Sequence, residues 1–177
     1  MPRVGALLLA AALAAAGARA AWAELSLEGV HWQKGRVEAG RVTSWQDVKA
    51  LADLPKPVDR MRARLVLKND GPQSEEGLLL RYSLTARVLP DGGAAEGSWT
   101  VPFTVDAKRV PKVGARKTLE VSLDAGAAIE LYLRRLSRAG WRPDIIKIQV
   151  MLEPHHGSKT LQLVDDVLEI GRASKKP

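Results

Sequence analysis

The sequence predicts a mainly β protein: an antiparallel two-sheet sandwich of about seven strands, with a short N-terminal helix and one crossover helix. Three observations carry this reading. Beyond the first two dozen residues, apolar and polar side chains mostly alternate with period 2, which sends successive residues to opposite faces of a sheet. Turn chemistry separates the alternating runs, most clearly at Asn69-Asp70-Gly71-Pro72 and Pro90-Asp91-Gly92-Gly93. One long segment breaks the pattern: after Asp124, residues Ile129, Tyr132, Leu133 and Leu136 follow helical spacing.

Each element follows from the same rules. Leu25 and Leu27 share one parity and Val30 and Trp32 the other, so the first strand should carry a bulge near Gly29 and leave His31 outward. Ser44-Trp45-Gln46-Asp47 forms a capping-box pattern. With Trp45, Val48 and Leu51 at helical spacing before Pro55 and Pro57, it predicts the short helix. In the next strand Met61, Ala63, Leu65 and Leu67 point one way and Arg60, Arg62, Arg64 and Lys68 the other. A long strand from Gly77 to Leu89 places Leu78, Leu80, Tyr82, Leu84, Ala86 and Val88 inward, with Arg81 and Arg87 outward.

Trp99, Val101, Phe103 and Val105 share a parity that assigns Trp99 to the core, and Pro102 marks an edge strand because it cannot donate to a ladder. A short strand carries Leu119, Val121 and Leu123. Asp124 is the expected cap of the crossover helix, which stops at Gly140. Ile146, Ile148, Val150 and Leu152 form another inward row, and Pro154 to Ser158 a turn. The last strand runs from Leu161 to Ile170, with an interruption expected at Asp165 and Asp166. Trp32 belongs to the core, Trp45 packs the short helix and Trp141 covers the end of the crossover helix.

The 177 residues fit one ordinary domain, with 27% charged residues and 46% apolar ones. No Cys is present, which removes disulfides, thiolate metal sites and a cysteine nucleophile. Residues 1–23 have the pattern of a secretory leader: Arg3, then an uncharged stretch from Val4 to Ala18, then small residues at Ala18-Arg19-Ala20 and Ala21-Trp22-Ala23. The stretch is shorter than the roughly 20 residues of a membrane span. The expected organisation is a leader over 1–23, one domain over 24–170 and a basic tail over 171–177. The expected location is outside the cytoplasm, periplasmic or secreted.

The segment Leu65-Val66-Leu67-Lys68-Asn69-Asp70-Gly71-Pro72, followed by the long strand ending Val88-Leu89-Pro90-Asp91-Gly92-Gly93, resembles bacterial immunoglobulin-like or fibronectin-type-III-like sandwich modules. The resemblance covers Met61 to Ile170. It departs from antibody-type domains in lacking both Cys of the inter-sheet bridge and in adding the helix from Asp124 to Ala139. Such a resemblance implies a module that binds, spaces or braces; fold alone does not fix function.

The net charge is +7. With export expected, that balance points away from nucleic acid, for which interleaved exposed aromatics are also lacking, and toward an acidic protein or anionic envelope component. Arg60, Arg62, Arg64 and Arg81 are the expected binding residues, because guanidinium pairs bidentately with carboxylate and phosphate. The same row also reads as a solvated outer face that discourages aggregation.

Other constellations are weaker. His155 and His156 in the turn after Glu153 offer an alternative, metal-handling reading, but His31 is the only other histidine. Contiguous Glu75-Glu76 and Asp165-Asp166 diverge in extended chain and do not make a hydrolytic pair. Gly157-Ser158-Lys159-Thr160 fails the phosphate-loop motif, and no G-x-S-x-G elbow occurs. A carbohydrate-binding module is a further alternative if the tryptophans are exposed. The sequence therefore predicts a non-enzymatic module with no cofactor and no metal site.

Overall fold

A computed structural model describes residues 25–52, 60–90, 96–153 and 161–171. The expected leader, the His155/His156 turn and, apart from Gly171, the basic tail lie outside the described residues. The described chain forms ten strands and one helix. The strands are β1 Leu25–Glu38, β2 Arg41–Asp47, β3 Ala50–Leu51, β4 Arg60–Asn69 and β5 Glu75–Pro90, then β6 Ser98–Trp99, β7 Thr104–Val113, β8 Lys117–Leu123, β9 Trp141–Leu152 and β10 Gln162–Ile170. The helix, α1, is Gly126–Arg138 and lies between β8 and β9.

Two sheets result. One has the order β2-β1-β4-β8; the other has the order β3-β10-β9-β5-β6, with β7 also paired to β5. All pairings are antiparallel except the two-residue contact of β3 with β10. Both sheets feed one hydrophobic cluster: Trp32, Leu65 and Leu67 from the first, Leu80, Leu84, Ile146 and Ile148 from the second, closed by Ile129 and Leu133 of α1. Each such side chain contributes on the order of 1.5–3 kcal/mol by leaving water. The inward rows expected for β4, β5 and β9 are all buried. The register shift between Leu27 and Gly29 is the expected bulge.

Polar ties cross between the sheets. Gln162 of β10 accepts the N–H of Leu27 at 2.7 Å and donates to the carbonyl of Leu25 at 2.6 Å. Lys108 of β7 donates to the carbonyl of Ser122 in β8 at 2.7 Å.

Several expectations are corrected. There are ten described strands, and the segment read as a short helix is strand. Ala39 and Gly40 both take positive φ, 49° and 77°, which closes a tight hairpin and lays β2 along β1 with Gly35 opposite Trp45 and Gln33 opposite Asp47. Pairing with β1 outweighs the local helical spacing, and Asp47 receives a side-chain hydrogen bond from Gln33 at 2.7 Å. Asp124 does not cap α1: the N-cap is Ala125, without a side-chain cap bond. The helix does end at Gly140, whose φ is 74°.

Trp99 is not in the core. It is 51% exposed because its partner in the ladder is Arg87, on the outward side of β5. The parity shared by Trp99, Val101 and Val105 is thus an exposed one, and Phe103 instead stacks on Tyr132 of α1 with ring centroids 4.0 Å apart. Trp141 is exposed, as the first residue of β9. β10 runs unbroken through Asp165 and Asp166, helped by the Lys147–Asp165 ion pair at 2.8 Å.

Candidate functional site

The outer face of the four-stranded sheet is read off the ladder in rows. Trp45, Gly35 and Arg60 stand abreast, then Asp47, Gln33 and Arg62, then His31, Arg64 and Ser122. Three of the four expected binding residues, Arg60, Arg62 and Arg64, share this face. Arg81 does not join them, because β5 belongs to the other sheet, where Arg81 is ion-paired with Glu153. Arg87, also on β5, is held bidentately by Asp144 at 2.6–3.1 Å.

The three arginines of β4 differ in their surroundings. Arg64 reaches to Glu120 of neighbouring β8 at 2.7 Å and, across β1, to Asp47 of β2 at 3.1 Å. Its charge is answered on the spot. Arg62 has no carboxylate partner among the described residues; its Nε donates to the Gln33 side-chain oxygen at 2.8 Å and its guanidinium lies 3.9 Å over the Trp45 ring. Arg60 is exposed and forms no ion pair among the described residues. Gln33 is only 6% exposed, sealed beneath the row and bonded to both Arg62 and Asp47. That amide, chiefly, holds the Asp47 carboxyl below its usual range; the Arg64 and His31 charges add to it against an opposing cost of burial.

A groove of about 390 Å³ opens beside Arg60 and Arg62. Its origin lies in strand lengths. The β4–β8 ladder starts at Ala63 opposite Leu123, so residues 60–62 of β4 have no partner from β8, and the first turn of α1 takes that place. Gly126 makes the close approach possible, since a Cβ there would stand 3.0 Å from the Met61 carbonyl oxygen. Gly35 does the same on the other side, where a Cβ would stand 3.0 Å from Val42, 3.1 Å from the Arg60 Cβ and 3.2 Å from the Trp45 ring. Val42, Trp45 and Ala127 give the groove apolar walls, Met61 borders it with its side chain buried in the core, and Ser122 of β8 lines it together with Asp124 and Glu130 on the helix side.

Sequence reasoning missed Gln33, Gly35, Trp45 and Asp47 as parts of this face. Trp45 carried the one signal that could have placed it there, since its spacing along the chain also suits a strand. Among the described residues no cluster of three or more His, Asp or Glu could hold a metal ion, and none of their helices is long and apolar enough to cross a membrane. Trp99 and Trp141 are exposed on the two flanks of β5, opposite Arg87 in β6's ladder and Pro90 in β9's.

No family model and no curated protein matches the chain. Among solved structures, it is similar to part of the transglutaminase of red sea bream, with TM-score 0.42 and 11% identity over 97% of this chain and 20% of that one. It is also similar to part of a β-glucosidase from Erythrobacter marinus, with TM-score 0.37 and 14% identity over 82% of this chain and 15% of that one. A protein from Archaeoglobus fulgidus has TM-score 0.32 and 15% identity over 81% of this chain and 97% of its own. At these TM-scores the likenesses carry no argument about the chemistry of the site.

Proposed function

We propose that the protein is an exported, non-enzymatic, immunoglobulin-like β-sandwich module of the cell envelope, docking an acidic protein or another anionic envelope component through the outer face of the four-stranded sheet. One observation carries the reading: Arg62 is fixed over Trp45 and bonded to a neutral amide, with Arg60 beside it, so two cations at the groove lack carboxylate partners among the described residues. A guanidinium already held in place loses less side-chain entropy when it binds an anion. The contact set narrows accordingly. Arg60 and Arg62 make the contact, Arg64 is occupied in bracing the face, and Arg81 lies elsewhere. The leader-like pattern of residues 1–23 supports export, and two sheets around one core support the sandwich.

The test is quantitative cross-linking of the full chain in its native envelope fraction, beside Arg60→Glu/Arg62→Glu and, as control, Arg81→Glu. The parent and the control should enrich the same acidic partner, the double variant should lose it, and high salt should weaken it, because screening falls on exposed charge. Equal enrichment by parent and double variant overturns the proposal.

A further inference from the structure

The groove beside Arg60 and Arg62 has two electrical ends. On the strand side stand the two arginines; on the helix side stand Asp124 and Glu130. These acids are not equivalent. Glu130 is 3.5 Å from Arg134 one helical turn on, so its charge is partly answered. Asp124 is exposed, is not the helix cap, and makes no hydrogen bond or ion pair among the described residues. Apolar lining comes from Val42 and Trp45 of β2 on the strand side and Ala127 of α1 on the helix side.

We infer that this groove takes an extended peptide segment of bipolar sequence: a carboxylate on Arg60 and Arg62 and, two residues on, where the chain returns to the same face, a lysine or arginine side chain toward Asp124. The inference rests on the docking proposal above and specifies its ligand. The Nε of Arg62 is engaged by Gln33, which leaves the terminal N–H groups of the guanidinium for a carboxylate. A volume of about 390 Å³ is at the small end of the roughly 300–1,000 Å³ of ligand pockets, enough for a short stretch of chain. A uniformly anionic ligand, such as a phospholipid surface or an all-acidic peptide, sets one of its charges against Asp124, and like charges juxtaposed across an interface select against the wrong partner. The strands supply attraction and the helix supplies discrimination.

The experiment uses the full chain and three dye-labelled, end-capped peptides of equal length, read by fluorescence anisotropy: glutamate-leucine-lysine, glutamate-leucine-glutamate and lysine-leucine-lysine, each flanked by the same glycine-serine spacers. The mixed peptide should bind the parent about tenfold tighter than the all-acidic one, a difference of about 1.4 kcal/mol. Asp124→Lys should reverse that order, and Asp124→Asn should erase it. Arg60→Glu/Arg62→Glu should lose both peptides. All these changes sit on exposed or groove-lining positions, and an unchanged circular dichroism spectrum verifies the fold of each variant.

If the all-acidic peptide binds the parent as well as the mixed one, insensitive to Asp124 but lost in the arginine double variant, the bipolar ligand is wrong and the docking proposal stands. If no peptide binds the parent, both fall for protein ligands. Sedimentation with vesicles of anionic phospholipid gives the remaining arm: vesicle binding that depends on Arg60 and Arg62 and exceeds peptide binding replaces the bipolar segment with a membrane surface.

Discussion

Asn69 offers the sharpest test of how the two sheets are joined. It is fully buried at the end of β4, yet its amide is bonded in every direction. Its Oδ1 accepts the N–H of Gly71 at 3.0 Å, while Nδ2 donates to the carbonyls of Gln73 at 2.7 Å, Gly114 at 3.2 Å and Val113 at 3.3 Å. One side chain thus ties the turn into β5 to the turn between β7 and β8, where the chain passes from one sheet to the other. Asn69→Ala orphans the buried Gly71 N–H, at roughly 2 kcal/mol, and loses the short bond to Gln73, at about 1 kcal/mol. The sum, about 3 kcal/mol, is a large part of the roughly 5–15 kcal/mol that holds a domain folded. Asn69→Asp keeps the acceptor for Gly71 but turns an anionic oxygen toward three carbonyl oxygens. Burial and those lone pairs raise the folded pKa of the introduced carboxyl above its unfolded value of about 3.9. Its deficit against the parent is therefore small below that value, where the protonated acid donates to Gln73, and grows as pH rises toward the folded pKa. Urea unfolding followed by tryptophan fluorescence, with an unchanged m-value, measures both. A cost under about 1 kcal/mol for Asn69→Ala, or an Asn69→Asp deficit that stays flat from pH 3 to pH 7, would refute the account.

Further outcomes follow from single groups. Burial, then the hydrogen bond to the Asp106 carboxylate at 3.1 Å, push the Tyr82 phenol up to about 12. Ultraviolet difference titration should show a tyrosinate transition near that pH and Tyr82→Phe should remove it; the stability Tyr82 adds as a neutral phenol is full below pH 10 and lost as pH rises through about 12. Asp47 has the opposite sign: its contribution is present above the ordinary carboxylate range and lost as pH falls through its depressed value. Gln33→Met should bring the Asp47 carboxyl carbon, followed by NMR, back toward an ordinary titration, and no movement there counts against the amide as the main cause. Gly35→Ala should displace Trp45 from Arg62, because the new Cβ meets Val42, Arg60 and Trp45 at 3.0–3.2 Å. A stability loss of about 1 kcal/mol or more and an altered Trp45 signal are expected, and a variant indistinguishable from the parent on both counts removes Gly35 from the account of the groove.

The parts of the fold that were legible in the sequence are those where one face is buried along a whole strand. Met61 to Leu67 and Leu78 to Val88 alternate because a one-residue slip would turn their entire apolar row to water, so period 2 is forced on the sequence. The bulge at Gly29 was legible for the same reason, as a change of phase within one buried row. Where neither face is deeply buried the constraint vanishes. Most of β2 is exposed, and the spacing of its Trp45 with Val48 and Leu51 beyond it is compatible with helix until β2 is laid along β1 and β3 along β10. Trp99 failed differently: alternation correctly grouped it with Val101 and Val105, but which of two faces is inward depends on the partner strand, and that partner presents Arg87.

The same limit governs the site. Period 2 put Arg60, Arg62 and Arg64 on one face, yet whether a cation is free to dock is decided across the ladder. Asp47 and Glu120, which answer Arg64, lie 17 and 56 residues away in sequence and become its neighbours only because β2 and β8 flank the sheet. The β8 ladder ends at Ala63, so Arg60 and Arg62 fall beyond its acidic reach and face the start of a helix instead. A difference in strand length of a few residues thus separates a cation spent on bracing the face from two that remain for a partner. It follows that extending the acidic flank should silence the face without touching either arginine. Ser122, which lines the groove and stands opposite Arg64, is the position for it. Ser122→Glu should weaken acidic-peptide binding by neutralising the end of the row, and Ser122→Gln, matched in size but uncharged, should not; equal weakening by both means that the groove is read by shape, and the charge argument for Arg60 and Arg62 fails.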